Sequence, residues 1–238
     1  MDRRINNAFK WLDSCHPSSV KELSRLVTAY ALWDVPNHYA DLLIHMKKDS
    51  HWNGSVRDTA RACSALAGIG MVFHSSVDWL LDRQHDGAWN DDVYDTAYVL
   101  TALASMDELN ENGCKWLVEN YCPDWEHVGT TSLVITALIK QESLVGTDKY
   151  RDFINQRAQW VLSQRGQNGD WKFISTSNIV IQALMLAGFK DELAISVMWL
   201  LGKLNDNGSW GKDEGDIIAT SISLITLGLY EAQKRRHC

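Results

Sequence analysis

The chain has 238 residues, 45% of them hydrophobic, with 23 Lys and Arg against 30 Asp and Glu, a formal net charge of −7. Mixed signs with an acidic balance argue against a nucleic-acid partner, which calls for a basic patch. The longest weakly polar stretch, Ile217 to Tyr230, is too short for a transmembrane segment. Arg3 and Arg4 open a polar run rather than a signal peptide, which leaves peripheral contact as the only expected membrane association.

The elements read as six helical pairs. Their first members cover roughly 3–14, 36–47, 74–84, 108–121, 148–165 and 190–204. Their second members cover roughly 18–33, 56–69, 92–106, 129–141, 176–188 and 216–231. Pro17, Pro36 and Pro123 fall between these runs, where a missing amide does least harm. The first members are amphipathic: Trp199, Leu200, Leu201 and Leu204 oppose Lys203 and Asn205. The second members are apolar almost all round, as in Ile179 to Leu186. Cys15, Cys63, Cys114, Cys122 and Cys238 are odd in number and irregularly spaced, which suits free thiols in a reducing cytoplasm.

A phrase recurs at the joints of the pairs. A segment with Trp-Leu precedes a Gly-bearing turn, a second Trp and an apolar helix, most clearly from Trp79 through Gly87 and Trp89 to Leu103. The second Trp falls at Trp52, Trp89, Trp125, Trp171 and Trp210, the fixed-period self-similarity of a repeat architecture. Gly87, Gly169 and Gly208 stand two residues before a Trp, where a tight reversal with positive φ costs least. Gln84, Asn120 and Asn205 stand five residues before one, placed to satisfy backbone groups left free at a helix end. Six amphipathic helices around six more apolar ones predict an all-α protein, an (α/α)6 toroid of six hairpins forming a single domain over 1–238. An open superhelix of pairs would not need a consistently more apolar second helix.

The unit Trp79-Leu80, Gln84, Gly87 and Trp89 resembles the QW motif of the triterpene cyclases, the squalene–hopene and oxidosqualene cyclase family. Asp92-Val93-Tyr94-Asp95-Thr96-Ala97 resembles that family's Asp-x-Asp-Asp-Thr-Ala motif, and the repeat is also similar to that of the protein prenyltransferase β subunits. The resemblance implies an isoprenoid substrate in an apolar central cavity and acid-initiated cyclisation, a carboxylic acid protonating an alkene. Tyr94 stands where the family has its proton donor, which leaves Asp92 or Asp95 as the acid.

Arg57, Thr130, Thr176 and Gly215 take the place of Tyr94 in other repeats, with Arg61 and Tyr98 one turn deeper and Gln182 two turns down. Arg57 and Arg61, four apart, would share a face and hold an anion, either Asp58 or Asp95 or a substrate diphosphate or carboxylate. Tyr94, Tyr98 and Trp33 would line the pocket and stabilise a cation. Substrate contacts are thus expected from Arg57, Arg61, Tyr94, Tyr98 and Gln182.

Competing readings attach to the same residues. Asp58, Asp95, Thr131, Ser177 and Asp216, six after each second Trp, are N-cap types, so Asp95 reads as a helix cap before it reads as a catalyst. Asp91 to Asp95 spells a DDxxD string, and Mg2+ enters only if the substrate is a diphosphate; Asp213, Glu214 and Asp216 could add carboxylates but suit a solvated loop. Cys114, Cys122 and His127 match no common zinc spacing, and no metal site is expected. The alternative function is a non-catalytic toroid binding a hydrophobic ligand or a protein.

Overall fold

The computed structural model describes residues 3–235. Twelve α-helices are found among them. They run α1 Arg3–Asp13, α2 Val20–Leu32, α3 Tyr39–His45, α4 Val56–Ala67, α5 His74–Leu81, α6 Val93–Ser105, α7 Glu111–Glu119, α8 Val128–Val145, α9 Arg151–Ser163, α10 Ile174–Leu186, α11 Ala194–Leu201 and α12 Ile217–Arg235. All twelve expected helices form. The odd-numbered ones are shorter than predicted: α3, α5, α7, α9 and α11 end early, where the chain turns toward the next tryptophan, and α3, α7, α9 and α11 also begin three or four residues late. One such loop holds the only strand pair among the described residues, β1 Lys47–Lys48 with β2 His51–Trp52.

The even-numbered helices pack in sequence, α2 on α4, α4 on α6, α6 on α8, α8 on α10 and α10 on α12, and α12 returns onto α2. Trp33, just past α2, ties that last junction by donating its indole N–H to the Leu224 carbonyl at 2.8 Å. Trp33 therefore belongs to the seam between the ends of the chain and not to the pocket lining expected of it. α1 packs on α12 at the same seam.

The repeated tryptophan acts as a two-ended clamp. The indole N–H of Trp52, Trp89, Trp171 and Trp210 donates to a carbonyl of the preceding helix, at Leu43, Leu80, Val161 and Leu200, over 2.6–2.8 Å. The backbone amide of each donates to a hydroxyl in the first turns of the following helix, Thr59, Thr96, Ser177 or Thr220, at 2.9–3.1 Å. Trp52, Trp89 and Trp210 are fully buried, so these polar groups have no water to turn to. Trp125 departs from the pattern: it lies in a 3-10 turn, Pro123–Trp125, and stacks on Trp116 at 5.3 Å. Tyr121 takes up the Thr131 hydroxyl there instead, at 2.7 Å.

The turn glycines have a second reason beyond their φ values of 90°, 94° and 91°. A Cβ at Gly87 would meet the Asn112 carbonyl at 2.9 Å, at Gly169 the Ile195 backbone at 2.9 Å, and at Gly208 the Asn7 backbone at 2.8 Å. Each turn thus lies directly against the next odd-numbered helix, and Gly208 carries the contact from last hairpin to first. Gln84 bonds the Gly87 carbonyl and the Asn110 side chain, each at 3.0 Å, Asn120 the Trp116 carbonyl at 2.9 Å, and Asn205 the Ser209 hydroxyl at 3.1 Å.

The cap assignment is corrected. Helices α4 and α6 begin three residues earlier than a cap at Asp58 or Asp95 requires: Ser55 and Asp92 are the caps, accepting from the amides of Asp58 and Asp95. Thr131 and Ser177 lie inside α8 and α10, whose cap positions, His127 and Phe173, make no side-chain cap bond. Asp216 alone caps as expected, accepting from the Ala219 amide at 2.6 Å.

Candidate functional site: a central cavity with a carboxylate cluster at its mouth

The even-numbered helices surround a hollow. Its deep chamber, about 340 Å3, takes lining residues from all six of them: Arg25 and Leu32 of α2, Arg61 and Ser64 of α4, Tyr98 and Thr101 of α6, Leu133 and Lys140 of α8, Ile179 and Gln182 of α10, Ile222 and Ile225 of α12. A mouth chamber of about 550 Å3 shares Arg61, Tyr98, Leu133 and Ile179 with it and opens past Arg57, Tyr94, Thr130 and Thr176. Four residues read as equivalent across the repeats therefore do meet in one ring. Gly215 does not: it packs against Ser209 and Trp11 behind α12.

Asp92 and Asp95 converge on one guanidinium. Arg57 Nε lies 2.5 Å from Asp95 Oδ1 and its Nη2 lies 3.0 Å from Asp92 Oδ1. The Asn90 amide donates to the other Asp95 oxygen at 2.9 Å. Burial alone would lower the Arg57 pKa, but the hydrogen bond and charge of Asp95, with Asp92 behind it, more than offset this and raise it. Asp95 is 8% exposed and faces a side recess of about 500 Å3, shared with Arg57, Asp58 and Asn90, rather than the deep chamber. Arg57 stands between that recess and the mouth, lining both.

This settles what Arg57 and Arg61 bind within the chain. Arg57 holds Asp92 and Asp95, while Arg61 Nη1 reaches Asp58 at 3.3 Å and leaves its buried Nε without a partner. The DDxxD string does not form a metal cradle. Asp91 lies ahead of the helix at a φ of 48°, exposed, and the other two carboxylates are turned onto a cation that would repel Mg2+. Asp213 and Glu214 sit in an exposed loop, and Cys114, Cys122 and His127 form no metal-holding group among the described residues.

Tyr94 donates to or accepts from the Thr130 hydroxyl at 2.8 Å, with the Arg57 guanidinium 5.6 Å from its ring centre. Tyr98 carries the Arg61 guanidinium 4.7 Å from its ring. Burial would push the Tyr98 phenol up, but Arg25 and Arg61 outweigh it and lower its pKa. Gln182 donates to Thr226 at 2.8 Å.

Against solved structures, the chain is similar to the type II terpene cyclase MstE from Scytonema. An apo structure of a Tyr-to-Phe variant matches at a TM-score of 0.73, 16% identity, over 97% of this chain and 96% of that one. An Asp-to-Asn variant bound to its substrate, geranylgeranyl dihydroxybenzoate, matches at a TM-score of 0.72 and 16% identity over the same shares. No family model and no curated protein sequence matches. At that identity the likeness shows the fold: a helical, terpene cyclase-like one. No helix among the described residues is long and apolar enough to cross a membrane.

The sequence reading missed Lys21, Arg25 and Lys140. α2 has no tryptophan turn before it, so counting from a Trp does not reach its residues. Yet Lys21 and Arg25 have the same four-residue spacing as Arg57 and Arg61. Lys140 sits near the far end of the deep chamber, its pKa lowered by burial, with Ser105 Oγ 3.4 Å away.

Proposed function

We propose that this protein is a small type II terpene cyclase-like enzyme, a single (α/α)6 toroid over residues 1–238, that cyclises an isoprenoid chain held in its central cavity. The observation that carries the reading is the hollow itself, lined from all six even-numbered helices and joined at its mouth to a carboxylate cluster. The prenylated substrate of MstE supports the choice of ligand. The four described cysteines are free, which fits a cytoplasmic protein.

Asp95 is assigned as the acid. It is the one carboxyl of the cluster that is almost wholly buried, and it stands next to the cavity mouth through Arg57. With Arg57 displaced, Asp95 has first to take up a proton from solvent; that proton then passes from the Asp95 oxygen to an alkene carbon, the π pair forms the new C–H bond, and the cation left behind is attacked by the next double bond. Loss of a proton from carbon to water or back to the Asp95 carboxylate ends the sequence. Arg57 has to swing away for the chain end to reach Asp95, and Asp92, capping α6, gives that guanidinium a resting partner. The Tyr94 ring, left by the guanidinium when Arg57 swings away, offers the cation stabilisation. No step needs Mg2+.

One observation favours the alternative, a toroid that binds without turnover: both Asp95 oxygens are occupied, by Arg57 and Asn90. Incubation with geranylgeranyl dihydroxybenzoate, farnesyl diphosphate and squalene, with products read by mass spectrometry, separates the two. A cyclised product lost in Asp95→Asn at an unchanged melt supports catalysis. No product from any of them, with Asp95→Asn only lowering Tm, supports the alternative.

A further inference from the structure

We propose that Lys140 is a covalent capture site in the deep chamber, where its amine condenses with an aldehyde carried on an isoprenoid-like chain to form an imine. The proposal takes from the functional reading only the cavity as a place for such a chain, and nothing of the cyclisation.

Lys140 lies on α8, about 15 Å along the helix from the mouth residue Thr130. It joins no ion pair among the described residues, and its hydrogen-bond partner there is Ser105 Oγ at 3.4 Å. Ser105 gives its own proton to the Thr101 carbonyl at 2.9 Å, so it accepts from Lys140. The nitrogen itself receives no hydrogen bond, and its lone pair is uncommitted once the amine is neutral. The side chain is partly exposed and lines the chamber, so a ligand can reach it.

The surroundings favour the neutral amine. No Asp or Glu lines the chamber; its other titratable groups are Lys21 and Arg25 of α2, Arg61 of α4 and Tyr98 of α6, while α10 and α12 contribute Gln182 and otherwise apolar side chains. Burial lowers the Lys140 pKa, the condition under which a lysine becomes a nucleophile toward carbonyl groups.

The condensation balances without an oxidant or a metal. The Nζ lone pair attacks the carbonyl carbon, and the carbonyl oxygen takes up the two protons that nitrogen gives up and leaves as water. Ser64 Oγ, 3.2 Å from Ser105 Oγ and on the chamber wall, completes a hydroxyl pair able to pass those protons. The product is a neutral imine, so the reaction removes a charge that a dry wall penalises. Ile179, Ile222 and Ile225 give the tail of the aldehyde an apolar wall to lie on.

The test is incubation of the full chain with dihydrofarnesal, saturated next to its carbonyl so that thiols cannot add to it, then reduction with cyanoborohydride and peptide mass mapping. Lys140 should carry the adduct about tenfold more than the exposed Lys115 and Lys203. Excess farnesol, which has the tail and no aldehyde, should slow labelling of Lys140, and acetaldehyde should show no preference for it. Adducts spread evenly over the exposed lysines overturn the site. So does a Lys140 adduct that farnesol does not slow, or one that acetaldehyde forms with the same preference. A Lys140 adduct with no cyclised product from any isoprenoid keeps the capture site and sinks the cyclase reading. Cyclised product with no Lys140 adduct does the reverse.

Discussion

Whether Asp95 serves structure or chemistry can be read from its coupling to Arg57. The Asp95 side chain is 12% exposed, and Arg57 supplies one of its two side-chain donors at 2.5 Å. The Arg57–Asp92 arm, 36% and 39% exposed, is screened and worth only a few tenths of a kcal/mol. The Asp95 arm, a charge-assisted bond in a drier place, is worth about 1.5 kcal/mol. Arg57→Ala strands the carboxylate with Asn90 alone, and the cost should reach about 2 kcal/mol, a Tm drop of about 4–8 °C for a chain this long. Asp95→Asn should cost less, since an amide can turn its oxygen to Arg57. Urea unfolding of both variants and of the double variant gives the coupling free energy, expected at about 1 kcal/mol. Costs that add within about 0.3 kcal/mol would mean the ion pair is not formed in solution, and the picture of Arg57 as a latch over Asp95 fails with it.

The remaining predictions address the scaffold. Thr96→Val deprives the buried Trp89 amide of its acceptor and should cost about 2 kcal/mol in urea; a loss under about 0.5 kcal/mol would show that the clamp is not needed. Gly208→Ala meets both a φ of 91° and the Asn7 backbone at 2.8 Å, whereas Gly54→Ala meets only a φ of 64° with open space. The first should cost at least about 1 kcal/mol more than the second, and equal costs would argue against closure of the last hairpin onto the first. Burial pushes the Cys63 and Cys114 thiols up to about 12 from a reference of 9.0. The unfolded chain gives up these protons above pH 9 and the folded one does not, so the contribution is whole below pH 9 and lost as pH rises. Between pH 8 and 10 stability should fall by about 1.4 kcal/mol per thiol, and Cys63→Ala should remove that thiol's share of the slope.

Much of this was legible in the chain. The twelve helices followed from apolar periodicity broken by Gly turns, and the tryptophan spacing located the joints. The ring of Arg57, Tyr94, Thr130 and Thr176 at one level followed from counting from each Trp, because the clamp to Thr59, Thr96 and Ser177 fixes the register of each helix to its turn. The count failed for Gly215, where Trp210 pairs with Thr220 across a longer loop. It failed again for Asp95 as a cap, since helix starts are soft to a few residues in sequence and the cap hydrogen bonds decide them. Partner choice was least legible: nothing in the spacing says that Arg57 takes Asp95 from the neighbouring hairpin.

Running the reaction in D2O on the prenyl substrate that turns over, and weighing the product, tests the central claim most directly. Acid-initiated cyclisation predicts an isomer of the substrate carrying one solvent deuteron on carbon, formed by the native protein and absent with Asp95→Asn. A product without deuterium, or one formed equally well by Asp95→Asn, would contradict protonation by this carboxyl.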